Sequence, residues 1–310
     1  MNYQTQLQRI LAAAGWSQEE LAQQLNVSFV TLNSWINGKS EPKREVNKRA
    51  IDYIATKILG ADIVDSGVLK QVKAAALNYK LTTKRLVANK ELLDRITLNL
   101  TYHTNTIEGS TMTINDVEAV LFDNKILSNR TQTEQREAIN HQVAMNFLLD
   151  ELTRESKLQW TPELIQNIHL RLMNGIISNA GLWRNHGVRI AGSHVPLANF
   201  IKIPELVERL CNVLNEETSD PISLLARTHS EFEQIHPFSD GNGRTGRLIM
   251  FGLALQFGVV PPIITKERRS AYYKYLEIAQ TTDRLDLLEE MLASEIISIG
   301  ETLQSSSISF

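Results

Sequence analysis

The chain has 310 residues, of which 43% are hydrophobic, and its 32 Lys and Arg against 35 Asp and Glu give a formal net charge of -3. A pI near 6.2 excludes a wholly basic nucleic-acid coat, so any DNA site must be a local patch. A single cysteine, Cys211, excludes an intrachain disulfide and reads as a small buried hydrophobe; with no signal-like N-terminus and no eighteen-residue apolar run, a soluble cytoplasmic protein without membrane contact is expected.

Inward positions recur at spacings of three and four along most of the chain, as in Leu224, Leu225, Thr228, Phe232 and Ile235, which predicts a mainly α fold. Within residues 1–60 stands "WSQEELAQQLNVSFVTLNSW", from Trp16 to Trp35. Ser17 is the expected N-cap of one short helix, with Glu20 completing a capping box and Leu21, Ala22 and Leu25 facing inward. Asn26-Val27 makes the turn. Ser28 caps a second helix that carries Val30, Leu32 and Trp35 inward and leaves Phe29, Thr31, Asn33 and Ser34 outward. Residues 5–58 resemble the helix-turn-helix of phage-repressor-type regulators. The resemblance implies DNA binding through Ser28, Phe29, Thr31 and Asn33 at base edges, with Lys39, Lys43 and Arg44 on phosphate. The outward face lacks the Arg and Gln best suited to bidentate base contacts, so docking of a protein is the alternative.

A boundary is expected at "LGADIVDSG", Leu59 to Gly67, where this bundle gives way to connecting helices over 61–124. Within them "YHTNTIEGST" ends a helical stretch, with Thr104 and Glu108 on one face at i and i+4 and Gly109 suited to a C-cap. A body over 125–300 follows. In it "HGVRIAGSHVPLANFIKIP" predicts the only hairpin, with Val188 and Ile190 alternating and Gly192-Ser193 at the turn. "EEMLASEIISIGETL" is an amphipathic helix that packs on the core or forms a homodimer seam, and the Ser-rich tail within 301–310 is expected to fray.

The densest chemistry lies in "HPFSDGNGRTGR", His236 to Arg247. Pro237 ends the preceding helix and leaves His236 on its lip. The apolar run that follows is a helix, so the N–H groups of Gly241 to Arg244 form an anion site at its N-terminus. Arg244 and Arg247 add two cations, which suits a polyphosphate. Asp240 would repel that anion unless it held a divalent cation such as Mg²⁺. His236 is then the natural general base for a hydroxyl, and phosphoryl or nucleotidyl transfer from a nucleoside triphosphate follows.

The string resembles the Fic-domain signature "H-P-F-x-[D/E]-G-N-G-R-x-x-R", matched at every defined position, and the resemblance covers roughly residues 85 to 300. It implies an all-helical core with one short β-hairpin flap, and transfer of AMP from ATP to a Ser, Thr or Tyr hydroxyl of a target protein. Carried over, His236 is the base, Asn242 positions the α-phosphate, and the Gly241 and Gly243 region cradles it. Arg244 and Arg247 hold the β- and γ-phosphates, Asp240 holds Mg²⁺, and Phe238 points inward to fix the loop. Lysine at the position of Gly243 marks a phosphorylating relative, so the glycine favours nucleotidyl transfer. The flap implies that Ala191, Gly192, Ser193 and His194 border nucleotide and target, the alternative for His194 being an exposed turn. Tyr272 and Tyr273 occupy the adenine side, with core packing as the alternative, and Gln280 stands where many relatives have Asn.

"YHTNTIEGST" also resembles the family's inhibitory motif "[S/T]-x-x-x-E-[G/N]", spanning residues 101–111 here. That implies Glu108 held against Arg247, where it removes a cation meant for the γ-phosphate; the same glutamate could position water for AMP removal. A surface glutamate is the alternative. His103, His141, His169, His186 and His229 show no metal spacing and are assigned no role. The competing function is a DNA-binding regulator whose body senses nucleotide without turnover.

Overall fold

The computed structural model describes residues 3–59, 66–154, 157–190 and 195–305. Fifteen α-helices run through them, and the sole β pairing among the described residues is an antiparallel bridge between Lys80 and Val259. The mainly helical architecture is as expected. The expected hairpin is not: residues 187–190 and 195–199 carry no strand, and the turn residues Ala191, Gly192, Ser193 and His194 lie outside the described residues. A two-stranded ribbon with no third strand is marginal by itself, which is the physical reason a pattern of alternation alone does not secure one.

The N-terminal bundle consists of α1 (Tyr3–Ala14), α2 (Gln18–Gln24), α3 (Phe29–Ile36) and α4 (Glu45–Leu59) around Leu7, Ile10, Leu21, Leu32, Ile51 and Ile58. Ser17 caps α2 in a complete capping box with Glu20, and Ser28 caps α3 by accepting from the Thr31 N–H. Val30, read as inward, is 75% exposed; α3 buries Leu32, Trp35 and Ile36 instead, a stripe that places Val30 beside Phe29 on the outer surface.

The second and larger core surrounds α13 (Asn242–Gln256), which buries almost every side chain from Arg244 to Leu255. A helix apolar all round must be enclosed, and α7 (Lys90–Ile107), α9 (Gln132–Arg154), α10 (Pro162–Met173) and α12 (Pro221–Ile235) enclose it. Each large apolar side chain buried in this way contributes about 1.5–3 kcal/mol. On the outside, α14 (Arg269–Thr282) and α15 (Asp286–Ser305) pack together, and α15 also packs on α12 and on α5 (Ser66–Ala76). The amphipathic C-terminal stretch therefore packs on the core, and its helix runs through Ser305. A small third cluster joins α8 (Ile114–Leu121) to α7 and α9 through Met112, Val117, Val120 and Ala138.

Candidate nucleotide site

The C-cap of α12 is His236, held at φ 48 and ψ 61. A non-glycine residue in the left-handed region is costly and is found where the surroundings force it. The forcing group is Arg184, which is 2% exposed. Its Nε donates to the His236 carbonyl at 2.7 Å, and its terminal nitrogens donate to the carbonyls of His186, Ala198 and Ile235, while its own N–H donates to the Pro237 carbonyl. One guanidinium thus ties His186 and Ala198, on either side of residues 191–194, to the end of α12 and the loop after it.

The His236 Nδ1 lies 3.2 Å from the Glu233 carbonyl, a pure acceptor, so Nδ1 carries the proton and Nε2 is the basic nitrogen. Burial, assisted by the Arg184 charge, lowers the pKa of this imidazole against opposing effects of the Glu233 carbonyl and nearby carboxylates, which keeps the ring neutral and ready to accept a proton.

From His236 the loop 236–241 leads into α13. Phe238 is fully buried and stacks on the His169 ring with centroids 3.6 Å apart. His169 also accepts from the Gly181 N–H and meets the Asp240 carbonyl at 2.9 Å, so this histidine, given no role from sequence, braces the loop. The Asn242 side chain is a staple: its Oδ1 accepts from the Phe238 N–H and its Nδ2 donates to the Phe238 carbonyl, both at 2.9 Å. Its amide is thereby committed to the loop, and only its backbone N–H remains at the helix N-terminus.

Gly241 is the N-cap of α13, so the N–H groups of Asn242, Gly243 and Arg244 open on the start of the helix. Facing them is Glu108, the C-cap of α7, and a Cβ at Gly243 would collide with Glu108 Oε1. The Arg247 Nη2 donates to that same Oε1 at 2.5 Å. Arg247 is further bound through Nε to Thr104 Oγ1 at 2.5 Å and through Nη1 to the Tyr272 hydroxyl at 3.4 Å. Burial raises the Glu108 pKa, but the charge and hydrogen bond of Arg247 outweigh it and the net direction is down, so a full carboxylate sits at the anion site. Arg244 is neutralised as well, by Glu137 of α9 at 2.7 Å.

Asp240 keeps its carboxylate 61% exposed, with Oδ1 accepting from the Gly241 N–H and lying 3.8 Å from Arg244. Among the described residues no group of three His, Cys, Asp or Glu could enclose a metal. A solvent-facing carboxylate beside a phosphate site fits Mg²⁺, which is ordinarily held by one or two carboxylates together with substrate oxygens and water.

On the adenine side the two tyrosines divide. Tyr272 has no exposed surface and bonds His229 Nε2 at 2.7 Å, so it supports Arg247 from behind and offers no face to a base. Tyr273 is 38% exposed, and the Arg269 guanidinium lies over its ring. Gln280 donates its amide to the Ser230 carbonyl. In the N-terminal bundle Ser28 and Phe29 are exposed, Thr31 and Ser28 pair through their hydroxyls, and Asn33 donates to Gln18. Lys39, Lys43 and Arg44 are exposed nearby.

The profile of the Fic/DOC family matches residues 159–254, and a helix-turn-helix profile matches residues 7–53. The chain carries a Fic domain behind a helix-turn-helix domain. Curated relatives named protein adenylyltransferase Fic are 32% identical over 185 residues in Drosophila ananassae and 33% identical over 186 residues in Drosophila virilis. Those matches cover 59% of this chain and 37% and 38% of the relatives, so the chain spans well under half their length. Among solved structures, Fic-1 from C. elegans superposes with a TM-score of 0.67 at 21% identity, covering 93% of this chain and 86% of that one. A Fic domain containing signaling protein from Bacteroides thetaiotaomicron gives 0.64 at 21% identity, covering 78% and 99%. Both establish the fold. No described helix is long and apolar enough to cross a membrane.

Proposed function

We propose that this protein transfers AMP from ATP to a hydroxyl side chain of a target protein, releasing pyrophosphate, and that Glu108 restrains the reaction. The observation that carries the reading is the joint placement of a neutral histidine and a helix N-terminus with two arginines on one twelve-residue loop. The triphosphate binds at the start of α13, with Arg244 and Arg247 as its cations and the N–H groups of Asn242 and Gly243 toward it. Asp240 would hold Mg²⁺, which when bound supplies charge neutralisation to the phosphates. His236 accepts the proton of the target hydroxyl at Nε2 as that oxygen attacks the α-phosphorus. Arg184 fixes the His236 backbone in the conformation that presents the ring.

Glu108 opposes each of these binding terms. Its carboxylate lies against Gly243 and on Arg247, so a polyphosphate must displace a buried ion pair and meets a like charge where its own should rest. The helix-turn-helix domain is proposed to bind DNA through the exposed start of α3, with Lys39, Lys43 and Arg44 on phosphates.

Parallel reactions of the Glu108→Gly variant with α-labelled and γ-labelled ATP, Mg²⁺ and cell lysate test the reaction type. Label on protein from α-labelled ATP alone supports AMP transfer. Label from γ-labelled ATP would show a phosphotransferase, and no label from either would leave a nucleotide-sensing regulator as the reading.

A further inference from the structure

The carboxyl of Glu233, on α12 three residues before His236, is an acidic group of this site that the reaction above does not use. Glu233 is 6% exposed, and its Oε1 has no hydrogen-bond partner among the described residues. An unpartnered buried carboxyl costs several kcal/mol if ionised and is retained only against that cost. The surroundings hold it tightly: a Cβ at Gly246 would lie 2.7 Å from Glu233 Oε1 and 3.0 Å from Phe232, so α12 and α13 approach closely only because that position is glycine.

The other carboxyl oxygen, Oε2, lies 3.9 Å from His236 Nδ1. That is beyond hydrogen-bond range, yet contacts of this kind lengthen in unliganded sites and tighten in the reacting complex. The group is thus placed on the face of the imidazole opposite the nitrogen that meets the substrate. Its neighbours are His229 and His236 on its own helix, Arg247 from α13, Glu108 from the end of α7, and Tyr272 and Tyr273 from α14.

We propose that Glu233 is a positioning residue for the base, its carboxylate closing on the Nδ1–H of His236, which it shares with the Glu233 carbonyl 3.2 Å away, to offset the imidazolium charge that forms when Nε2 takes the proton of the target hydroxyl. The inference rests on the reading of His236 as the base. In the balanced step the hydroxyl O–H bond breaks and its proton passes to Nε2. The oxygen then forms the new bond to the α-phosphorus, and the bond to pyrophosphate breaks, its electron pair leaving with pyrophosphate. Positive charge appears only on the ring, and Glu233 is the nearest anion-forming group to it on the Nδ1 side.

Burial pushes the Glu233 carboxyl up to about 8, with Glu108 adding to the rise and Arg247 opposing it, so Glu233 is mostly neutral at pH 7 and ionises as pH rises. Support for the imidazolium therefore grows with pH through that range. This gives the pair a signature that a packing role would not have.

The experiment measures kcat and KM for ATP from pH 6.5 to 9 in the Glu108→Gly protein, alone and with Glu233→Gln, Glu233→Asp or His236→Ala. Without the Glu108 charge the Glu233 carboxyl ionises earlier, so in Glu233→Gln kcat is expected to fall by about tenfold at pH 8.5 and by progressively less toward pH 6.5, with KM for ATP nearly unchanged, and Glu233→Asp should restore part of the alkaline rise. A uniform loss at every pH, or a rise in KM alone, overturns the inference. NMR titration of the His236 ring nitrogens in the same full-length variants provides a reading independent of turnover: the ring signals should show an alkaline step as Glu233 ionises, lost in Glu233→Gln, and the same alkaline response in both proteins contradicts the pairing. Full activity of the His236→Ala variant would instead sink the base reading, and the ring titration keeps those two failures apart.

Discussion

Arg247 and Glu108 meet at 2.5 Å, one on the second turn of α13 and the other capping the C-terminus of α7, 139 residues earlier in the chain. The pair is completed by Thr104, one turn before Glu108, whose hydroxyl accepts from Arg247 Nε at 2.5 Å. A cation only 3% exposed is thereby held by partners from its own protein, and on the proposed reading a nucleotide must displace them.

Thr104→Val removes one acceptor from Arg247 and leaves the carboxylate in place. A hydrogen bond of this type is worth about 1 kcal/mol, so ATP affinity should rise roughly fivefold, less than for loss of Glu108 itself. Isothermal titration with ATP and Mg²⁺ checks the order of the three proteins. Thr104→Val binding as tightly as Glu108→Gly would mean that the hydroxyl, rather than the carboxylate, carries the restraint.

Gly243→Ala places a methyl group where Glu108 Oε1 already lies. Melting temperature should drop by about 3 °C or more in the wild-type protein through this overlap. The drop should shrink when Glu108→Gly is also present, because the closest group is gone and only Arg247, 3.1 Å away, remains. Additive effects in this cycle would place Glu108 away from the start of α13.

Arg184→Lys keeps a charge but loses the fork that reaches four carbonyls. We expect a stability loss of about 3 kcal/mol in urea unfolding, since several buried carbonyls lose a charged donor. In the Glu108→Gly background kcat should fall as well, because the His236 backbone is no longer held at positive φ. Unchanged kcat would separate the loop conformation from the chemistry.

Glu134 of α9 secures the loop that follows Glu108, accepting from the Thr111 N–H at 2.7 Å and from the Thr111 and Thr131 hydroxyls at 2.8 Å. Burial alone would raise its pKa, but these donors bring it down to about 2. A depressed folded value stabilises above the unfolded value near 4.5 and is lost as pH falls from there toward 2. The melting-temperature gap between wild type and Glu134→Gln should accordingly be full at pH 6 and shrink below pH 4. A gap independent of pH would show that the carboxylate charge is not what the loop uses.

Much of this was legible in the sequence where the signal is local. Ser17 with Glu20, and Ser28 before Phe29, announce helix starts because caps work within three residues. Pro237 and the glycines after it announce the loop, and Thr104 with Glu108 share a face by helical spacing alone. Groups that act across long separations were not legible. Arg184 reaches the His236 carbonyl over 52 residues and Glu137 reaches Arg244 over 107, and no periodicity marks either. Asn242 reads as a phosphate ligand by its place in the motif, whereas its amide closes on the Phe238 backbone four residues away. Val30 shows the limit of pattern for a short helix: with Leu32, Trp35 and Ile36 already filling one stripe, it is left outside.

The central claim, an AMP transferase restrained by Glu108 through Arg247, is met most directly by one comparison. Wild type, Glu108→Gly, Glu108→Gly with Arg247→Ala, and Glu108→Gly with His236→Ala are incubated with α-labelled ATP, Mg²⁺ and cell lysate, and protein-bound label is counted. The account predicts label at least about tenfold above wild type for Glu108→Gly, most of that gain lost with Arg247→Ala, and none with His236→Ala. Equal, low label in wild type and Glu108→Gly would contradict it.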